Sequence, residues 1–209
     1  MRGLSEKLGR ALRAPGPGRR VLLVRNGQST ANEGGLLCGW MDPRLTALGR
    51  HQAHELFREL RPHLPLFDGV FSSDLRRSAQ FAEIATGFAG GTRVRQDGRL
   101  REIHFGEEEG RCYDTLPPAE QQRVDSFDYR AKGGEGWRDV RHRMLAFLGE
   151  LPEGRHLVFG HGGAVCALTF GQGLDDVQPN ATCLWLAFDR PDALNVALLH
   201  SFSPAQLRA

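Results

Sequence analysis

Three polar clusters, each directly after a short apolar run, contain the residue types that bind a phosphate group. The clusters occupy residues 25–29, 72–77 and 160–163. Arg25 and Arg77 offer guanidinium groups, which pair with phosphate oxygens through two parallel hydrogen bonds. His161 adds an imidazole, and the three side chains together would neutralise most of a phosphate dianion. The pattern therefore predicts a site for a small phosphorylated molecule.

The apolar runs before these clusters predict the strands that would bring them together. They lie at residues 21–24, 69–71 and 156–159, and they have the length and composition of strands buried on both faces of a parallel sheet. In an open α/β sheet, ligands bind outside the carboxyl ends of the strands, so the three clusters should meet on one rim. Each cluster also precedes a turn or a helix start, where unpaired backbone N–H groups favour anions.

Helical patterns separate the strand candidates. Thr46 is a suitable N-cap for a first helix that ends before Pro62. Two more helices are expected at residues 74–88 and 137–151. Two more strands are expected at residues 183–188 and 196–202, with a turn at 191–192 between them. An irregular lid is expected at residues 103–136. The lid is rich in Gly, Pro and charge and has room for one short helix. This alternation predicts an α/β fold, a three-layer α/β/α sandwich with a mostly parallel central sheet.

Length and charge restrict the class of protein. The 209 residues predict a single domain at residues 21–209 after a basic N-terminal extension at residues 1–20. The 27 Lys and Arg against 25 Asp and Glu leave a net charge of +2, too weak a field to hold nucleic acid nonspecifically. No run approaches the roughly 18 apolar residues of a membrane span. We therefore expect neither nucleic acid nor a membrane as a partner, whereas an exposed C-terminal edge strand could support a homodimer.

The extension and the cysteines bear on localisation. Leu4, Leu8 and Leu12 repeat every four residues, which predicts a short basic amphipathic helix, either solvated or packed on the domain. An organelle transit peptide is the alternative interpretation. The cysteines are far apart and form no C-x-x-C pair, which favours free thiols in a reducing compartment such as the cytoplasm. They are Cys38, Cys112, Cys166 and Cys183.

Six segments, in order along the chain, resemble motifs of the histidine phosphatase (phosphoglycerate mutase-like) superfamily. They are V-R-N-G-Q-S-T-A-N at 24–32, C-G-W-M-D-P-R-L-T-A-L-G at 38–49, S-S-D-L-R-R-S-A-Q at 72–80, L-R-E-I-H-F-G-E-E-E-G at 100–110, G-G-E-G-W-R-D-V at 133–140 and H-G-G at 161–163. Each motif alone has low specificity. Six in order make the resemblance strong from residue 21 to about residue 170, and it leaves residues 1–20 uncovered.

The resemblance implies phosphoryl transfer through a phosphohistidine, without a metal ion or another cofactor. By their positions in the motifs, Arg25, Arg77 and His161 would clamp the phosphoryl group during transfer. Stabilising the charge spread over that group is the main demand of such a reaction. Glu102 would protonate the leaving oxygen and then activate water.

The same motifs imply the contacts to the substrate. The residues concerned are Gln28, Asn32, Cys38, Gly39 and Gly162. Asn32 would donate to the phosphoryl group, and Cys38 and Gly39 would touch the rest of the substrate through backbone groups.

The first motif departs from the family at its nucleophile position, where Asn26 stands in place of histidine. The lone pair of a carboxamide nitrogen is delocalised into the carbonyl group, so this side chain does not attack phosphorus. Loss of a covalent nucleophile can cost on the order of a million-fold in turnover. We therefore expect the chain to bind phosphate esters and barely hydrolyse them.

This departure has three interpretations. The matching residue types elsewhere in the site favour a phosphomonoester phosphatase inactivated by a deliberate His to Asn exchange, which would trap its substrate. A natural pseudophosphatase that binds a phosphorylated ligand is the second. The third is a cofactor-dependent phosphoglycerate mutase. The segment between Glu102 and His161 is shorter than in such mutases and mixes acidic with basic residues, which suits a phosphatase better than retention of a bisphosphate intermediate.

Overall fold

A six-stranded sheet with helices on both faces forms the centre of the protein. The computed structural model describes residues 3–13, 18–87, 94–190 and 193–200. The strands are β1 (Arg19–Arg25), β2 (Gly69–Ser72), β3 (Arg95–Gln96), β4 (Gly154–Gly160), β5 (Cys183–Arg190) and β6 (Ala193–His200). The helices are α1 (Leu4–Arg13), α2 (Thr30–Glu33), α3 (Ala47–Leu60), α4 (Arg76–Thr86), α5 (Pro118–Asp125), α6 (Trp137–Glu150) and α7 (Gly162–Thr169).

The sheet is mostly parallel, as predicted. Its strand order is β3-β2-β4-β1-β5-β6. The first four strands in this order run parallel to one another, β5 is antiparallel to β1, and β6 is antiparallel to β5. The strand predicted at 196–202 is therefore β6, which begins earlier, at Ala193. The turn predicted at 191–192, and residues 201–202, lie outside the described residues.

Strand β1 separates two hydrophobic layers because successive side chains of a strand point to opposite faces. Val21 and Leu23 join a cluster that includes the apolar faces of α6 and α7. Leu22 and Val24 join a second cluster with α1, α3 and α4. All four side chains are fully buried. The chain therefore has the predicted three layers.

Helix α1 packs on the domain, which is one of the two arrangements expected for the basic extension. Leu4 and Leu8 are fully buried, and the backbone N–H of Ser5 donates to Glu59 Oε2 at 2.6 Å. Strand β1 begins at Arg19, inside the predicted extension. Within the described part of the chain, no helix is long and apolar enough to cross a membrane.

The predicted helices form with small shifts at their ends. Thr46 caps α3 by accepting from the Gly49 N–H at 3.0 Å. Helix α4 is shorter than the predicted 74–88 because Leu75 is extended and Gly87 adopts the left-handed conformation, with φ of 69°. The lid contains α5 and short 3-10 helices, and is irregular elsewhere, as expected.

Truncation of Leu8 to alanine tests the packing of α1. We expect Leu8→Ala to lower the free energy of unfolding by about 2–5 kcal/mol, because it removes a fully buried side chain from a packed layer. Urea denaturation measures the change, with Arg10→Ala on the exposed face of the same helix as control. Equal, small effects of the two substitutions would show that α1 does not contribute to the core.

Candidate active site

The register of the sheet brings the three polar clusters to one rim. Arg25 at the end of β1 lies opposite Gly160 at the end of β4, and Ser72 at the end of β2 lies opposite Phe159. The chain beyond these strands stays close, because the Asn26 N–H donates to Gly160 O at 3.0 Å. The predicted convergence is thus a direct result of parallel pairing.

Arg25 packs across the first turn of α7. A Cβ atom at Gly162 would lie 2.8 Å from Arg25 Cζ, so the guanidinium fits only because residue 162 has no side chain. One Nη1–H donates to the carbonyl of Gln178. Arg25 Nε is buried and has no partner among the described residues. Burial lowers the pKa of Arg25, the carboxylate of Glu102 opposes that effect, and the charge of Arg77 adds to it.

Arg77, rather than its neighbour Arg76, points into the molecule. Its side chain is 3% exposed, whereas Arg76 is exposed. Arg77 Nη1 donates to Met41 O at 2.6 Å and Nη2 donates to Gly39 O at 2.8 Å. The carbonyl of Gly39 is thus bound to Arg77, and direct contact of Gly39 with a substrate stays a prediction.

The segment after Cys38 is fixed from its other side by a carboxylate. The backbone N–H groups of Trp40 and Met41 donate to Glu109 at 2.7 and 3.0 Å. Gly39 has φ of 49°, and a Cβ atom there would collide with Glu109. Burial is the main cause that raises the pKa of the Cys38 thiol to about 11. The thiol is therefore protonated near neutral pH and is a poor nucleophile.

His161 is buried with both ring nitrogens unpartnered among the described residues. It occupies the N-cap position of α7 without a side-chain capping bond. Burial lowers its pKa well below the usual value, and the positive charges of Arg77, Arg143 and Arg25 lower it further. The three predicted clamp residues therefore lie close enough to act on one another electrostatically, and the imidazole is neutral.

The carboxylate of Glu102 binds the first turn of α7. Its Oε1 accepts from the N–H groups of Ile103 at 3.0 Å and Ala164 at 2.9 Å, and its Oε2 accepts from Gly163 N–H at 3.0 Å. A negative charge is stabilised at a helix N-terminus. A Cβ atom at Gly163 would lie 2.5 Å from Glu102 Oε1, so this contact also depends on a glycine.

Arg143 and Glu135 fix the segment that carries Glu102, and sequence reasoning missed both. Arg143 Nη1 donates to the carbonyls of Arg99 and Arg101 at 2.7 and 2.6 Å. Its Nη2 donates to Glu102 O at 2.9 Å. A two-fold hydrogen-bonded pair with Glu135 completes the cluster, with both bonds at 2.9 Å. Glu135 lies in the G-G-E-G-W-R-D-V segment, which is the only signal that could have pointed to the pair.

Asn26 and Asn32 are held by local hydrogen bonds. Asn26 is 3% exposed, and its Nδ2 donates to Gly27 O at 2.7 Å. Asn32 Oδ1 accepts from the backbone N–H of Ser29 at 3.0 Å and from Asn180 Nδ2 at 3.2 Å. Nδ2 of Asn32 is therefore the group that can donate to a ligand. Asn180 was not predicted as a site residue. It links Asn26 to Asn32, because its Nδ2 donates both to Asn32 Oδ1 and to Asn26 O, each at 3.2 Å.

Gln28 has structural contacts where substrate binding was predicted. Its backbone N–H donates to Gln52 Oε1 at 2.8 Å, and its side-chain Oε1 accepts from Thr46 Oγ1 at 2.8 Å. These bonds attach the first cluster to the start of α3. A role of Gln28 in substrate binding stays a prediction that would use its Nε2.

The arrangement as a whole has the chemistry to bind an oxyanion. The half-buried Arg25 guanidinium, the buried Arg77 guanidinium and the buried His161 imidazole lie at the rim. Neither arginine pairs with a carboxylate in the described chain. One carboxylate, Glu102, is held beside them at a helix N-terminus. Across residues 3–13, 18–87 and 94–190, no group of three or more His, Cys, Asp or Glu side chains could hold a metal ion.

Comparisons with known proteins agree on one family. A profile of the histidine phosphatase superfamily (branch 1) matches residues 21–181. The glucosyl-3-phosphoglycerate phosphatase of Mycolicibacterium vanbaalenii is 33% identical over 166 residues, covering 72% of each chain. The 2,3-bisphosphoglycerate-dependent phosphoglycerate mutase of a Bradyrhizobium species is 33% identical over 163 residues, covering 72% of this chain and 79% of the relative. A mycobacterial glucosyl-3-phosphoglycerate phosphatase complexed with VO3 superposes with a TM-score of 0.72 at 28% identity, covering 86% of this chain and 96% of that one.

A Gly to Ala substitution at the start of α7 should change the free energy of unfolding in the opposite direction to the usual one. Gly to Ala within a helix normally stabilises by up to about 1 kcal/mol. At position 163 we expect the opposite, a loss of about 1–3 kcal/mol, because the new methyl group would displace the Glu102 carboxylate and the Trp137 ring. Gly149→Ala in α6, where a Cβ atom meets nothing within 4 Å, is the matched control for urea denaturation. If both substitutions stabilise the protein, Glu102 does not pack on this turn.

The buried imidazole predicts a pH dependence of stability. Because the pKa of His161 is lowered in the folded state, the unfolded chain binds a proton at this residue first as the pH falls below about 6.5. Stability contributed by the neutral imidazole is thus lost on acidification, at up to about 1.4 kcal/mol per pH unit. We expect His161→Gln to flatten the pH dependence of the unfolding free energy between pH 7 and about pH 5. Exposed His54→Gln is the control, and parallel curves for His161→Gln and the unchanged chain would contradict the assignment.

Proposed function

This chain belongs to the histidine phosphatase superfamily, branch 1, and we propose that it is a form of a metal-independent phosphomonoester phosphatase in which Asn26 occupies the nucleophile position. Named relatives include both a phosphatase and a mutase, so phosphoryl chemistry is common to them. The observation that carries the proposal is a pair of buried donors at the rim without partners in the described chain, namely Arg25 Nε–H and the single N–H of the neutral His161 ring. Buried polar groups are normally hydrogen-bonded, and an oxyanion would satisfy these.

With histidine at position 26, the reaction would proceed in two displacements. The imidazole nitrogen would form a bond to phosphorus as the bond from phosphorus to the ester oxygen breaks, with Glu102 giving its proton to that oxygen. Water would then attack the phosphohistidine while Glu102 takes a proton from it. Arg25, Arg77 and His161 would stabilise the charge on the phosphoryl oxygens in both steps.

The hydrogen bonds of Glu102 indicate which oxygen would carry the proton. Oε1 accepts two backbone N–H groups, from Ile103 and Ala164, whereas Oε2 accepts only one, from Gly163. Oε2 therefore has the greater remaining capacity to hold a proton toward a ligand. Arg143 acts here as a positioning residue, because it binds the backbone on both sides of the carboxylate rather than the carboxylate itself.

Asn26 would preserve binding and remove turnover. Its carboxamide has no nucleophilic lone pair, while Arg25, Arg77, Glu102 and His161 keep the residue types that the reaction requires. Retention of Glu102 favours a substrate-trapping form of an active enzyme, since proton transfer is useless to a protein that only binds phosphate. A natural pseudophosphatase is the alternative.

Restoring histidine tests the proposal. We expect Asn26→His to gain metal-independent hydrolysis of p-nitrophenyl phosphate by a factor on the order of 10⁵ to 10⁶, with EDTA present. Mass spectrometry of the acid-labile phosphoprotein should locate a phosphate at position 26. Asn26→Gln, which adds no nucleophile, is the matched control and should stay inactive.

The same variant separates the alternatives. A folded Asn26→His protein that binds inorganic phosphate but shows no turnover would reject the active-parent interpretation in favour of a pseudophosphatase. Incubation with 3-phosphoglycerate and a 2,3-bisphosphoglycerate primer tests the mutase. Release of free phosphate supports a phosphatase, whereas accumulation of 2-phosphoglycerate would show a mutase.

A further inference from the structure

A cavity of about 270 Å³ lies between the lid and the C-terminal part of α7. Its walls combine aromatic rings with carboxylates, and no Lys, Arg or His side chain lines it. The residues concerned are Phe127, Trp137, Phe170, Asp125, Asp175 and Asp176. This composition differs sharply from that of the neighbouring rim, which is built around Arg25, Arg77 and His161.

The cavity adjoins the proposed phosphoryl site through the first turn of α7. Val177, a wall residue, would lie 2.9 Å from a Cβ atom at Gly162, the same point that Arg25 Cζ approaches to 2.8 Å. A Cβ atom at the next residue, Gly163, would lie 2.9 Å from the Trp137 ring and 2.5 Å from the Glu102 carboxylate. Two wall residues of the cavity, Val177 and Trp137, therefore pack on the same helix turn as Arg25 and Glu102.

The pKa of the Cys166 thiol, which lines the cavity, reflects the negative charge nearby. Burial and, to a smaller extent, the carboxylates of Glu102, Asp175, Asp176 and Asp125 together raise its pKa to about 12. The Cys166 thiol therefore lies within electrostatic range of both Glu102 and the cavity aspartates. The thiol itself donates to the carbonyl of Asp175 at 2.9 Å.

The cavity carboxylates are not neutralised by salt bridges. Asp125 accepts from the Tyr113 hydroxyl at 2.6 Å, and Asp175 accepts from the Gly171 N–H at 2.6 Å, but none of the three aspartates has an ion pair in the described chain. Two arginines of helix α6, the helix that begins at the wall residue Trp137, have other partners. Arg138 pairs with Asp128, and Arg141 donates to Phe170 O at 3.2 Å.

We infer that this cavity receives the leaving group of the ester and selects a group that donates hydrogen bonds and carries no negative charge. The inference rests on the proposed function, because it takes the phosphate to lie at the rim. Carboxylates accept from hydroxyl or ammonium groups, and aromatic rings cover apolar faces of a ligand or a cation. A polyhydroxylated alcohol and an ammonium alcohol share these properties. A leaving group with its own carboxylate, such as glycerate, would be repelled by the aspartates.

Binding to the chain as it stands provides the test, because Asn26 should leave the ligand unreacted. Calorimetric titration near neutral pH would compare inorganic phosphate, glucose 6-phosphate, phosphocholine and 3-phosphoglycerate. We expect glucose 6-phosphate or phosphocholine to bind at least about tenfold more tightly than 3-phosphoglycerate. The tighter of the two identifies a polyol or an ammonium alcohol as the preferred class.

Neutralising the aspartates should remove this selectivity. We expect Asp175→Asn/Asp176→Asn to reduce the preference to within about threefold, while the Kd of inorganic phosphate changes by less than about threefold. Asp176→Asn alone, which leaves the Asp175 to Gly171 hydrogen bond intact, should give an intermediate effect and covers the case in which the double variant does not fold. Asp114→Asn, an exposed lid aspartate outside the cavity, is the matched control and should change nothing.

The outcomes separate the two proposals. Phosphate binding with equal or tighter binding of 3-phosphoglycerate, unchanged by the substitutions, would overturn the assignment of the cavity and leave the proposed function standing. Absence of any binding of inorganic phosphate to the folded chain would overturn the proposed function, and the inference with it.

Discussion

The site depends on the first turn of α7, where two side chains of opposite charge occupy the space that two side chains of the helix would otherwise fill. Arg25 packs on Gly162 and Glu102 packs on Gly163. The helix N-terminus supplies N–H groups to the carboxylate, and His161 immediately before it supplies the imidazole. A single H-G-G tripeptide thus sets the separation between the Arg25 guanidinium and the Glu102 carboxylate.

Arg25, which is half-buried, and Arg77, which is buried, have no carboxylate partners in the described chain. Backbone carbonyls hold them instead, those of Gly39 and Met41 for Arg77 and that of Gln178 for Arg25. A carbonyl orients a guanidinium without cancelling its charge, so the rim keeps a net positive field for an anion. Burial is the main cause that lowers the pKa values of Arg25 and His161, and the positive charge of Arg77 lowers both further.

The parts of the fold and site that could be predicted from the sequence are those whose structural role requires a recognisable local pattern of residue types. Strands buried on both faces are continuous apolar runs, so β1 and β4 were recognisable, and parallel pairing then placed Arg25 beside Gly160. Side chains that act through the backbone of distant residues leave no such pattern. Arg143, which binds the main-chain carbonyls of Arg99, Arg101 and Glu102, is one example. Asn180 is another. The two-residue strand β3 is too short to show a period.

The position of β1 in the sheet has a consequence for how the protein is made. This strand comes from the beginning of the chain, yet its neighbours β4 and β5 are formed by residues 154–160 and 183–190. During synthesis the sheet therefore stays open at its centre until most of the chain has left the ribosome, and pairing that is so distant in sequence slows folding. Arg25 and His161 therefore come together only after this late closure. Until its neighbours form, both edges of β1 are unpaired, and unpaired strand edges promote aggregation.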